Sequence, residues 1–110
     1  MKKRTLVQAM ACAALLSASG LTLAQQQAPF KIGLILPMTG QQATTGRQIE
    51  AAAKLWMAQN GDTVAGRKVQ LIVKDDTSLP DVTRRLAQEL IVNDKVDVIA
   101  GMGITPSAMA

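Results

Sequence analysis

Three short apolar runs that alternate with two longer amphipathic segments constrain the fold of this 110-residue chain. The runs are Phe30–Leu36 (FKIGLIL), 68–74 (KVQLIVK) and 96–100 (VDVIA). Each has the length and composition of a buried strand. Strands that alternate with helices form right-handed βαβ units. The order therefore predicts an α/β fold, a βαβαβ path with a parallel sheet and flanking helices.

The two intervening segments have the apolar periodicity of helices. Residues 45–60 repeat apolar side chains at helical spacing, and Asn60-Gly61 supplies a left-handed stop. The second helix starts at Pro80, which suits a first turn. We expect both apolar faces to pack in the core; they comprise Ile49, Ala52, Ala53, Trp56 and Met57 in the first helix, and Val82, Leu86, Ala87, Leu90 and Ile91 in the second.

Composition excludes several classes of function. The net charge is +4, but three of the positive charges lie at residues 2–4 and the others alternate with Asp and Glu, so no basic stripe for nucleic acid is expected. Phe30 and Trp56 are the only aromatic residues, too few for base stacking. With no histidine and a single cysteine, Cys12, the sequence predicts no disulfide, metal site, cofactor or catalytic residue.

The first residues have the pattern of a secretory signal. A positive start is followed by a mostly apolar stretch over 5–23 and by Ala24, which is small enough for signal peptidase. We therefore predict a signal peptide over 1–24, with cleavage after Ala24 and export of the product. An uncleaved anchor is disfavoured because a spanning helix needs about 20 strongly apolar residues. The sequence before Cys12 only loosely resembles a lipobox.

Five pieces of the sequence from Lys31 onward form a recognisable series, in the order KIGLILP, MTGQQATTG, QNGDTVAGRKVQLIVKDD, LPDVTRRLAQELIVNDKVDVIAG and GITPSAMA. In these pieces the sequence resembles the leucine/isoleucine/valine-binding group of type I periplasmic binding proteins. One departure is NGDT at 60–63, where many members have a glycine pair. The resemblance implies two lobes that close on a ligand, no enzymatic activity, and an ABC permease as partner. Residues 25–30 would be a linker and 31–110 part of the N-terminal lobe, which we expect to be truncated because its third βα unit is unfinished.

Two loops are candidates for the ligand site, because open parallel sheets bind ligands beyond the carboxyl ends of their strands. The loops are 37–46 and 101–107, which would be neighbours if the sheet is ordered second, first, third strand. A helix starting near Thr105 would offer free N–H groups to a carboxylate. The resemblance implies that Thr105 binds the ligand carboxylate by hydroxyl and amide, with Gly103 and Ile104 beside it. Alternatively, Thr105 only caps its helix.

The first loop offers further candidates. Thr45 precedes Gly46 at a position where relatives often place a larger residue against the ligand, and Thr39 lines the approach with Gln41 and Gln42. A smaller side chain at this position predicts a ligand bulkier than alanine.

Asp75 and Asp76 resemble a metal or acid–base pair, but the sequence favours a structural role in which these carboxylates accept hydrogen bonds from turn amides. Gly101 and Gly103 resemble part of a phosphate-binding loop, yet the third glycine of that motif is missing.

The sequence therefore predicts a periplasmic substrate-binding component of an ABC importer that captures an amino-acid-like or other carboxylate-bearing small molecule. Two alternatives remain at this point, a ligand-binding sensor module of a signalling system and a truncated remnant without function. Neither involves nucleic acid.

Overall fold

The computed structural model describes residues 27–110, so the predicted signal peptide and its cleavage site lie outside the described residues. The elements are β1 (Phe30–Leu36), α1 (Ala43–Asn60), β2 (Thr63–Val64), β3 (Arg67–Asp75), α2 (Pro80–Glu89), a π-helical turn (Leu90–Asp94), β4 (Val98–Gly101) and α3 (Thr105–Ala108). The predicted α/β class is confirmed, as are the three strands and the two long helices. Within residues 27–110 no helix is both long and apolar enough to cross a membrane.

The sheet has the order β2-β3-β1-β4, with β1 parallel to both β3 and β4. This places the second, first and third predicted strands in the expected order. The sequence indicated only a turn near Gly66, whereas the structure has a short antiparallel hairpin in which β2 pairs with β3. Ala65 and Gly66 both have positive φ, 49° and 79°, which is the geometry of a two-residue hairpin turn.

The core lies between the sheet and α2. Ile35, Leu86 and Leu90 are buried, and Gly33 makes room for Leu90, since a Cβ at Gly33 would lie 2.8 Å from its Cδ1. The prediction that Ile91 shares this face is wrong, because its side chain is 60% exposed. Successive helical residues are rotated by about 100°, which turns Ile91 away from the surface that buries Leu90.

Helix α1 covers the opposite face of the sheet only loosely. Gly46 is its one buried residue. The predicted core position of Trp56 is wrong because this side chain is 54% exposed, and Ile49 and Ala52 of the same predicted face are exposed too. The helix approaches β1 near its first turn and stands away from the sheet farther along. Trp56 therefore borders an open apolar groove of about 260 Å³ with Ile32 and Leu71 instead of filling it.

Candidate functional site

The carboxyl ends of β1, β3 and β4 meet at one edge of the sheet, and the loops that follow them are in contact. The amide of Met102 donates a hydrogen bond to the carbonyl of Ile35, at 2.7 Å. Gly101 has φ 102°, and a Cβ there would lie 3.1 Å from the carbonyl carbon of Ile35 and closer to its oxygen. Gly103 lies against the ring of Pro37. The predicted adjacency of the first and second loops is therefore confirmed.

The second loop presents a run of free backbone donors. Within the described residues, no hydrogen bond uses the amides of Gly103, Ile104 or Thr105. Pro106 has no N–H group, and the amide of Ser107 donates to the carbonyl of Ile104, at 3.1 Å. Three consecutive amides together with a hydroxyl at Thr105 form a donor set suited to an anion.

The predicted helix start at Thr105 is confirmed, but α3 has only four residues, and two of the three free amides, those of Gly103 and Ile104, precede the helix. The alternative that Thr105 merely caps the helix is wrong. The N-cap is Ile104, and no side chain makes a capping hydrogen bond. Thr105 is exposed whereas Ser107, two residues on and therefore on the opposite side of the helix, is buried.

The buried Ser107 was not singled out by the sequence. Its side chain is 2% exposed, and among the described residues its Oγ has no hydrogen-bond partner. Helix α3 packs on α2, so this hydroxyl faces the protein and Thr105 faces the open edge. No sequence pattern distinguishes a buried serine at this position from an exposed one.

The first loop is fixed by a close approach of α1. A Cβ at Gly46 would lie 2.7 Å from the carbonyl carbon of Pro37, so only glycine lets α1 start here. Thr45, in the first turn of the helix, is exposed, and its hydroxyl donates to Gln42 Oε1 at 3.4 Å. The structure therefore places Thr39, Thr45 and residues 103–105 at the same edge of the sheet.

Asp75, the last residue of β3, holds the first loop in place. Its Oδ1 accepts hydrogen bonds from the amides of Met38 (2.9 Å), Thr39 (3.2 Å) and Thr77 (2.9 Å), and its Oδ2 accepts one from the Thr39 hydroxyl (2.7 Å). Partial burial raises the pKa of the Asp75 carboxyl, but the four hydrogen bonds outweigh this effect and hold the pKa below its ordinary value. Asp75 is therefore ionised at neutral pH.

Asp76 fixes the loop after β3 to the start of α2. The side chain is fully buried, with Oδ1 accepting from the amide of Ser78 (3.0 Å) and Oδ2 from the hydroxyl of Thr83 (2.8 Å). The prediction that the two carboxylates accept hydrogen bonds from turn amides is confirmed. Within residues 27–110, no group of three or more His, Cys, Asp or Glu side chains could hold a metal ion.

The comparisons with known proteins agree with this architecture. The sequence profile of the family described as periplasmic binding protein matches residues 29–110. The chain is 65% identical to a solute-binding protein of an ABC transporter from Rhodopseudomonas palustris BisB5, whose crystal structure is a complex with 3,4-dihydroxybenzoic acid. The TM-score is 0.73, and the match covers 74% of this chain and 22% of that one.

Two further relatives are more distant. An ABC transporter solute-binding protein from R. palustris in complex with 4-hydroxybenzoate is 37% identical, with a TM-score of 0.70 over 76% of this chain and 23% of that one. Leu/Ile/Val-binding protein homolog 6 of Brucella abortus is 36% identical over 81 residues, which are 73% of this chain and 21% of the relative. The chain thus spans about a fifth of the length of these relatives.

The family is one of substrate-binding proteins rather than enzymes, and its members act in the periplasm. The profile of this family covers most of the chain, and residues 27–110 have the family's fold, with the first and second loops in contact. The chain belongs to the periplasmic binding protein family.

Proposed function

We propose that this chain is part of the solute-binding protein of an ABC importer, and that its ligand is an aromatic carboxylate of the hydroxybenzoate class. The observation that carries the proposal is the 65% identity to the R. palustris protein crystallised with 3,4-dihydroxybenzoic acid. The ligand of the second R. palustris relative, 4-hydroxybenzoate, has the same carboxylate and the same hydroxyl at ring position 4. These two ligands support a hydroxybenzoate as the carboxylate-bearing ligand that the sequence predicts.

The second loop supports a carboxylate at the edge of the sheet. Its candidate donors are the free amides of residues 103–105 and the exposed Thr105 hydroxyl. Hydrogen bonds to a charged group contribute about 1.5 to 3 kcal/mol each, so two or three of them orient a carboxylate without a cationic side chain. In this arrangement Thr105, Ile104 and Gly103 hold the acid group.

The first loop supports an aromatic ring. Thr45 and Thr39 are both exposed and have short side chains, so neither would block an aromatic ring at this edge of the sheet. The size of Thr45 is also the basis of the prediction from the sequence that the ligand is larger than alanine. Thr45 would form one wall, and Thr39 would lie near the end of the ligand distant from its carboxylate.

The proposal extends to the export of the whole protein and to its recognition by a permease. Export by a signal over residues 1–24, with cleavage after Ala24, would deliver the protein to the periplasm. Closure of two lobes on the ligand would then produce the shape that a membrane permease recognises. N-terminal sequencing of the exported protein tests the cleavage site, with a start at Gln25 expected.

Calorimetric titration of the whole protein that carries residues 27–110 tests the ligand class. We expect 3,4-dihydroxybenzoate and 4-hydroxybenzoate to bind, and we expect their methyl esters, which lack the charge, to bind at least tenfold more weakly. Leucine should be titrated as the competing candidate ligand, because the Brucella relative is named as a Leu/Ile/Val-binding homologue. Tighter binding of leucine than of either benzoate would overturn the proposal.

A further inference from the structure

The hydrogen bond between Thr39 and Asp75 has a fixed direction. Thr39 Oγ1 lies 2.7 Å from Asp75 Oδ2. An ionised carboxylate only accepts hydrogen bonds, whereas a hydroxyl has one hydrogen to donate and two lone pairs that accept. The hydrogen of Thr39 must therefore point at Asp75, which leaves the hydroxyl with acceptor capacity alone.

The surroundings of Asp75 keep this direction. Three backbone amides converge on its Oδ1, and with the Thr39 hydroxyl they favour the charged form, so the pKa of the carboxyl stays below its ordinary value. A protonated Asp75 could donate to Thr39 and reverse the bond. At neutral pH that form is not populated.

The main chain of Thr39 is held as well. Its amide donates to Asp75 Oδ1 at 3.2 Å, and its carbonyl accepts from Ser78 Oγ at 3.4 Å. The residue is nonetheless exposed at the edge where the loops meet. Rotation of the hydroxyl toward another acceptor would break the shortest of the four bonds to Asp75.

The hydroxyl of Thr105, unlike that of Thr39, is not committed to a carboxylate. Across the described residues its hydroxyl takes part in no side-chain hydrogen bond, so it is free to donate to a ligand. The same edge of the sheet therefore has a threonine able to donate and a threonine restricted to accepting. A hydroxybenzoate has the complementary pair of groups, a carboxylate that accepts and a hydroxyl that donates.

We propose that Thr39 is a specificity-determining residue that accepts a hydrogen bond from a donor group at ring position 4 of the ligand, and that Asp75 is the positioning residue that fixes this polarity. The inference rests on the proposed function, because it takes the ligand to be an aromatic carboxylate. It adds that the protein selects for the direction of a hydrogen bond and not only for ring size.

The test compares two probes of similar shape and opposite polarity. The amino group of 4-aminobenzoate donates hydrogen bonds, and the fluorine of 4-fluorobenzoate does not. The measured quantity is the Kd for 4-fluorobenzoate divided by the Kd for 4-aminobenzoate, which we name the polarity ratio. A hydrogen bond of ordinary strength predicts a ratio of about ten in the wild-type whole protein.

Variants of Thr39 and Asp75 should change this ratio in a defined way. Thr39→Val keeps the shape and removes the acceptor, so the ratio should fall to about one, and Thr39→Ser should restore it. Asp75→Asn keeps an oxygen for the three amides but presents an NH₂ group to Thr39. The Thr39 hydroxyl then accepts from Asn and is free either to donate to the ligand or to accept from it, so the ratio should fall below the wild-type value.

Asp76→Asn is the matched control, since Asp76 also accepts from an amide and a hydroxyl but does not touch Thr39. Its ratio should stay near ten even if its melting temperature falls. If Thr39→Val does not fold, the polarity ratios of Asp75→Asn and Asp76→Asn are compared instead, and a lower ratio in Asp75→Asn supports the inference.

Two results would overturn this inference even if 4-hydroxybenzoate binds. One is a polarity ratio near one in the wild type. The other is a polarity ratio that stays at the wild-type value in Asp75→Asn and in any folded Thr39→Val. If the wild type binds neither 4-hydroxybenzoate nor 3,4-dihydroxybenzoate, the proposed function itself is overturned.

Discussion

Replacing Gly46 by alanine tests whether the first loop is fixed by the close approach of α1. In most helices this change is favourable, because alanine has a higher helix propensity than glycine by about 0.5 to 1 kcal/mol. Here the added Cβ would lie 2.7 Å from the carbonyl carbon of Pro37 and 3.3 Å from the amide nitrogen of Met38. Two carbons in contact normally lie about 3.5 to 4.0 Å apart, so loop and helix must separate by about 1 Å.

The steric cost should exceed the gain in propensity. Overpacking a close contact typically costs about 1 to 3 kcal/mol. The atoms that must move here are backbone atoms, which cannot rotate away as a side chain can, and Asp75 holds the amide of Met38 among them. We therefore expect Gly46→Ala to destabilise the whole protein by about 1 to 2 kcal/mol, with weaker hydroxybenzoate binding because Thr39 moves with the loop.

Chemical denaturation monitored by circular dichroism, together with calorimetric titration of 3,4-dihydroxybenzoate, measures both effects. Ala51→Gly is the matched control, since Ala51 is exposed in the same helix and reports propensity alone. It should destabilise the protein by about 0.5 to 1 kcal/mol and leave the Kd unchanged. If Gly46→Ala is more stable than the wild type, the close approach is not what fixes the loop.

Three further predictions concern the core, the carboxylate of Asp75 and the second loop. Leu90→Ala should cost about 3 kcal/mol of unfolding free energy because Leu90 is fully buried, whereas Ile91→Ala should change it by less than about 0.5 kcal/mol; equal costs in urea denaturation would contradict the packing of the π-helical turn against the sheet. Because the folded-state pKa of Asp75 is lowered, its stabilising effect is present above the ordinary pKa of 3.8 and is lost as the pH falls through the folded value. The unfolding free energy of Asp75→Asn should therefore decline less than that of the wild type between pH 5 and strongly acidic pH, and parallel declines would refute this. Thr105→Val should raise the Kd for 3,4-dihydroxybenzoate about tenfold with little change in melting temperature, since Thr105 is exposed; an unchanged Kd would remove its hydroxyl from the site.

The order of the strands and the adjacency of the loops could be predicted from the sequence. Short apolar runs separated by helical segments leave few right-handed arrangements, and one of them brings the ends of β1 and β4 together. The hairpin before β3 was missed because β2 has only two residues, Thr63 and Val64, which is too short for a periodic signal. Its turn residues, Ala65-Gly66, are not among the pairs typical of such turns.

The packing of individual side chains could be predicted less well. Trp56 fits the helical stripe of α1, but periodicity gives the direction of a side chain and not the distance of the helix from the sheet. The close approach of Gly46 to Pro37 fixes only the start of the helix, and Trp56 lies near its other end. Similarly, the pairing of Asp75 with Thr39 joins residues 36 positions apart, and no local pattern encodes it.

A crystal structure of the whole protein with 3,4-dihydroxybenzoate tests the central claim most directly. We expect the ligand to lie beyond the carboxyl ends of β1 and β4, with its carboxylate within hydrogen-bonding distance of the Thr105 hydroxyl and of the amides of residues 103–105. The hydroxyl at ring position 4 should face Thr39. A ligand bound elsewhere, or one whose carboxylate is held by a cationic side chain with residues 103–105 unoccupied, would contradict it.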